Sequence, residues 1–109
     1  MAYFNVNPTS TTGVSILAAA TGKQARFIAL GFSNDHASAQ VTLRIFDGTA
    51  SGGTLRFEMS LLAGSGGYLF DDRAGKSVFP MAWFTAGNAV ECSISASGSV
   101  QVWGEVVGV

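Results

Sequence analysis

Apolar residues recur at every second position in several short runs of this chain. Leu55, Phe57, Met59 and Leu61 alternate with Arg56, Glu58 and Ser60, and Val90, Cys92, Ile94 and Ala96 with Glu91, Ser93 and Ser95. Val41, Leu43 and Ile45 alternate with Thr42 and Arg44, while Ile28, Leu30 and Phe32 alternate with Ala29 and Gly31. In an extended chain, successive side chains point to opposite faces, so each run predicts a strand with one face in a core. The sole helix candidate, Leu17–Thr21, is too short to stand alone and runs straight into Gly22.

Turn-forming clusters separate the runs: Asn34–His36, Asp47–Gly53, Ala63–Gly67, Asp71–Gly75, Ala86–Asn88 and Ser97–Ser99. Strands are predicted near 2–6, 13–19, 25–34, 39–47, 54–61, 67–71, 77–83 followed by 89–96, and 100–107. Short strands at near-regular spacing point to an all-β fold, an antiparallel β-sandwich or barrel of about eight strands. Short Gly/Ser turns predict local hairpins over 39–61 and 89–107. Asn5–Gly13 is polar, contains Pro8 and has no apolar face. It reads as an extended arm, dividing the chain into an N-terminal strand and arm (1–12) and a sandwich domain (13–109). A monomer would let such an arm fray, whereas an assembly would use it as a strap onto a neighbour.

Composition sharpens this picture. Only 12% of the 109 residues are charged, about half the usual share for soluble domains, while 48% are apolar. Gly, Ser and Thr together fill 34 positions, so most of the polarity is neutral. Charge ordinarily keeps diffusing proteins apart, and a chain with so little of it is suited to packing against companions. The alternative is a compact secreted-type β domain with a Ser/Thr-rich face. The net charge of −1 excludes binding to nucleic acid by phosphate neutralisation. The longest apolar run, Ile16–Ala20, is far shorter than the roughly 20 residues of a membrane helix. Met1–Asn5 has neither the basic start nor the apolar stretch of a signal peptide, so a reducing cytoplasm is the expected site of synthesis.

Candidate chemistry is sparse. Cys92 lies on the apolar side of its strand and reads as a buried structural thiol rather than a nucleophile. His36, the only imidazole, sits in a turn with no second His or Cys nearby, which favours an exposed turn residue over a base or metal ligand. Asp71-Asp72-Arg73 lacks the ladder of a calcium loop and reads as a turn with a local ion pair. Gly64-Ser65-Gly66-Gly67 precedes no helix and is therefore no phosphate cradle. The seven acids offer no spacing that nominates a glycosidase pair. No catalytic, cofactor-binding or metal-binding residues are assigned, and the expected function is not enzymatic.

The aromatic residues carry more. Phe27, Phe32, Phe57 and Phe70 fit strand interiors. Trp103 shares its strand face with Gln101 and Glu105, opposite Val100, Val102 and Val106, and Phe46 shares a parity with Thr42 and Arg44. Trp83 adjoins the Thr85–Asn88 turn. Outward aromatics of this kind serve as core under a second layer, as protein-interface anchors or as glycan platforms. The candidate interface residues are Tyr3, Phe4, Pro8, Phe46, Trp83 and Trp103. A glycan platform would use Trp83, Trp103 and Tyr68 instead.

Arg26–Asn34 followed by Ala39–Gly48, the strand Thr54–Leu61 with Leu62–Gly67, and Ala89–Ala96 followed by Ser97–Val102 resemble small virion proteins of tailed bacteriophages. The likeness spans most of the chain as a pattern of strands and turns. It implies a jelly-roll-like sandwich without catalytic residues, acting as a capsid cement (decoration) protein on the capsid exterior. The implied partners are the major capsid protein and further copies of the chain, as a dimer or trimer. A tail or head-fibre module that contacts the host, and a carbohydrate-binding β-sandwich, are the alternatives.

Overall fold

The computed structural model describes residues 2–36, 38–71 and 79–109. Within them the chain forms eight strands: β1 (Ala2–Val6), β2 (Val14–Leu17), β3 (Ala25–Asn34), β4 (Val41–Asp47), β5 (Thr54–Leu61), β6 (Gly66–Asp71), β7 (Val90–Ile94) and β8 (Val100–Gly108). They build two four-stranded sheets, ordered β1-β8-β3-β6 and β2-β7-β4-β5.

The pairing is nested. β4 pairs with β5, β3 with β6, β2 with β7 and β1 with β8, all antiparallel, as if the whole chain were one long hairpin with its tip at Asp47–Thr54. Rolling that hairpin brings β3 beside β8 and β4 beside β7, which completes both sheets. This is the eight-stranded jelly roll, and the expected all-β sandwich is the fold of the chain. The expected hairpin over 39–61 is β4–β5. The one expected over 89–107 is corrected: β7 and β8 lie in different sheets. Both sides of each are already taken, β7 by β2 and β4, and β8 by β1 and β3. The Ser95–Ser99 link is therefore a crossover between layers.

The predicted strand at 77–83 is also corrected where it is described. Met81–Trp83 is a single 3-10 turn entered through Pro80 at φ −54°, a residue with no N–H to give a ladder. Gln24 fastens this turn to the β2–β3 link: its Nε2 donates to the carbonyls of Met81 and Phe84, both at 2.7 Å. Residues 77 and 78, with most of the Asp71–Gly75 turn, lie outside the described residues, as do the side chains of Tyr68 and Phe70.

Between the sheets lies one apolar core, including Phe27, Leu30, Leu43, Ile45, Val102 and Val106. Phe27 is its aromatic hub, with ring centroids 5.3 Å from Phe79 and from Phe84 and an edge-on contact to Phe4 at 6.3 Å. Such ring pairs add about 1 kcal/mol each beyond the area they bury.

Two bulges adjust which residues face the core. A register shift between Phe27 and Ala29 turns both Phe27 and Leu30 inward although they are three residues apart. Another sets Ile45 opposite Phe57 but Phe46 opposite Leu55, with Arg56 as the extra residue. Leu55 is thereby moved to the outer face, 43% exposed, where strict alternation had placed it inside.

The N-terminal residues belong to the sandwich. β1 pairs with β8 along its whole length. The polar link after it is held at Thr9, whose carbonyl accepts from Gly98 N at 3.1 Å, and at Ser10, whose carbonyl accepts from Ile94 N at 3.0 Å.

Candidate functional site

The outer face of the first sheet is set by the parity of β8. Val100, Val102 and Val106 turn inward and are fully buried, so Gln101, Trp103 and Glu105 turn outward. In the ladder Glu105 lies between Tyr3 of β1 and Ala29 of β3, and Trp103 lies between Asn5 and Gly31. The flanking residues on β3 are small, and that shapes the surface. A Cβ on Gly31 would sit 2.5 Å from the Trp103 indole, so the ring lies flush over a bare backbone. A Cβ on Gly104 would collide with the Ala29 carbonyl oxygen, so glycine lets β8 approach β3 this closely.

What remains is a hollow of about 190 Å³ lined by Tyr3, Phe4, Ala29, Trp103, Gly104 and Glu105. Tyr3 is 77% exposed and Trp103 half-buried, whereas Glu105 is only 9% exposed. Its Oε2 has no hydrogen-bond partner among the described residues. A buried acceptor left without a donor costs about 1–3 kcal/mol.

A second buried carboxylate contrasts with it. Asp47, at the end of β4, is 5% exposed and accepts three hydrogen bonds. They come from Thr85 N at 3.0 Å, Thr85 Oγ1 at 2.7 Å and Asn88 Nδ2 at 3.2 Å. Burial pushes its carboxyl up, but the Thr85 and Asn88 bonds and the charge of Arg56 outweigh burial and hold it below the ordinary value. Asp47 thus anchors the 85–88 turn to the sheet, beneath an open polar cleft of about 540 Å³ that Thr54, Arg56 and Thr85 help to line.

Of the predicted interface residues, the structure brings Tyr3, Phe4 and Trp103 to one surface hollow. Phe46 is half-buried on the outer face of the other sheet, opposite Leu55. Trp83 stacks on Phe79, ring centroids 5.4 Å apart and planes 20° from parallel. Phe4 also packs edge-on against Phe27, and Pro8 is buried. Trp83 does not line the hollow that Trp103 lines, and the side chain of Tyr68, the third expected platform residue, lies outside the described residues.

Cys92 and His36 lie elsewhere in the sandwich. Cys92 is fully buried, and burial followed by the nearby charge of Glu91 pushes its thiol up to about 12. His36 is exposed, and its Nδ1 accepts from Ser38 N at 3.1 Å and Ala39 N at 2.9 Å, shaping its own turn. Asn34, buried beside it, donates to Ala39 O at 2.9 Å and Leu61 O at 3.2 Å, tying that turn to the end of β5. Reading by residue type passed over Glu105 and Asp47. The available signal for Glu105 was its parity with Trp103 in an otherwise valine-rich strand.

No protein-family model matches this chain, and the comparisons with curated proteins and with solved structures found no match either.

Proposed function

We propose that this protein is a structural component of a tailed-phage virion, a cement (decoration) protein that sits on the capsid exterior and bridges major capsid subunits. The observation that carries this reading is the outer face of the first sheet, where exposed Tyr3 and half-buried Trp103 frame a hollow. They do so on a chain whose charged residues are only 12% of the total. Aromatic anchors beside small residues, without charge to hold neighbours off, are the composition of interface centres. The jelly roll agrees with the reading, since viral capsid domains use that architecture, though lectins and cupins use it too.

Mechanically, a shell strained by its packed genome fails by separation of subunits. A clamp that spans two of them adds buried area that must be lost before they part. Symmetry repeats that gain over many copies, so each contact can be weak. In this reading Tyr3 and Trp103 meet the shell or a second copy. The strands β1, β6, β2 and β5 are at the sheet edges among the described residues, which suits strand addition.

Size-exclusion chromatography with light scattering, followed by co-sedimentation with the capsids encoded alongside the protein, tests the reading. A dimer or trimer that saturates expanded capsids is expected. A stable monomer that leaves them bare overturns it, and labelling on the tail rather than the head moves the assignment to a fibre module.

A further inference from the structure

We infer that the hollow over β8 is a receptor for a single arginine side chain presented by a protein partner, with Glu105 as its counter-ion. The inference rests on the proposed function for the identity of the partner, but not for the chemistry of the site.

Four observations converge. Glu105 is nine-tenths buried and lines the hollow, and its Oε2 has no hydrogen-bond partner among the described residues. An acceptor kept in this state is complementary to a donor that arrives from outside. The walls are an indole and a phenol, Trp103 and Tyr3, whose faces attract cations. The space, about 190 Å³, suits a flat head group and a few methylenes rather than a large ligand. Finally, Ala29 puts only a methyl on the wall beside Glu105, and the Trp103 indole lies flat over Gly31.

Arginine meets all four conditions. Its guanidinium is weakly hydrated, always charged, stacks on aromatic faces and presents paired donors to a carboxylate. A pyranose would also stack on Trp103, but sugar recognition relies on several polar side chains converging on the hydroxyls. Among the described residues that line this hollow, Glu105 is the only one with an ionisable carboxyl. The same feature accounts for a glutamate in a valine-rich strand, where an apolar residue would pack at lower cost.

The test uses the full chain and follows the Trp103 indole N–H resonance during titration with N-acetyl-arginine amide. The isosteric but uncharged N-acetyl-citrulline amide and a set of methyl pyranosides serve as comparison ligands. A saturable shift with millimolar affinity for the arginine probe is expected. It should weaken at least tenfold in Glu105→Gln, whose melting temperature should equal or exceed that of the parent. Equal shifts with citrulline amide, unchanged binding by Glu105→Gln, saturation by a pyranoside but not by the arginine probe, or no shift with any ligand would each overturn the inference. Capsid co-sedimentation then separates the two proposals. If the arginine probe binds while capsids do not, the receptor stands and the virion reading falls. If Glu105→Gln decorates capsids as well as the parent does, arginine capture is not the capsid contact and the capsid falls as the partner that presents the arginine.

Discussion

Asp47 and Glu105 are both carboxylates withdrawn from water in one small sandwich, and their surroundings differ. Asp47 ends β4 under the 85–88 turn and accepts from Thr85 twice and from Asn88 once. Glu105 lies mid-strand under an aromatic rim, with Oε2 unpartnered among the described residues. The first arrangement stabilises the fold, because an ionised acceptor that gathers several donors recovers its lost hydration. The second leaves an acceptor without a donor among the described residues, the state that the proposed arginine would relieve. Buried charge is thus no single indicator of structural or functional purpose. The count of donors around it separates the two cases.

Substitutions test that separation. The largest effect is expected from Asp47→Ala, which strands the Thr85 and Asn88 donors and releases the turn. A loss of about 3 kcal/mol in urea unfolding is expected. The same contact has a pH signature. Because the folded-state value of Asp47 is depressed, its contribution is complete above the unfolded value near 3.8 and is lost as pH falls through the folded one. Asp47→Asn should flatten that part of the acid limb of stability against pH. An unchanged acid limb would show that the hydrogen bonds do not favour the charged form.

Gly31→Ala comes next. Its methyl must push the Trp103 indole off the sheet, at a cost of about 1–2 kcal/mol, and the displaced ring should no longer report the arginine probe. A crystal structure with the indole unmoved would contradict the close approach. The smallest effect belongs to Glu105→Gln, which removes a buried charge without changing shape. Unfolding should show a change near zero or a gain of about 1 kcal/mol, opposite in sign to Asp47→Ala. A loss comparable to that of Asp47→Ala would place Glu105 among the structural carboxylates and erase the contrast.

Much of the fold was legible because the core is written with period two. β1, β3 and β5 begin and end where alternation and turn residues predicted. Cys92 and His36 are also where their neighbours in sequence indicated, one buried on an apolar face and the other in an exposed turn. Leu55 was misread because a bulge is a one-residue event in the partner pairing and leaves no mark in the alternation itself. The 77–83 segment was misread at Met81–Trp83 because Phe79 and Phe84 enter the core on either side of a turn, and Pro80 was the sign against a strand. The candidate site was half legible. Trp103 and Glu105 were assigned to one face, but nothing local in the chain indicated that Tyr3, about a hundred residues away, would complete the rim.

By itself the sequence determined an all-β chain, the faces of most strands, and a surface poor in charge. These follow from side-chain alternation and composition, which act over a few residues. Tertiary structure alone decided the nesting of β1 with β8 and β2 with β7. It also decided the separation of β7 from β8 and the isolation of Glu105 beneath an aromatic rim. The physical reason is that burial and hydrogen-bond satisfaction are properties of a neighbourhood. Those neighbours are brought together only when distant strands close the roll.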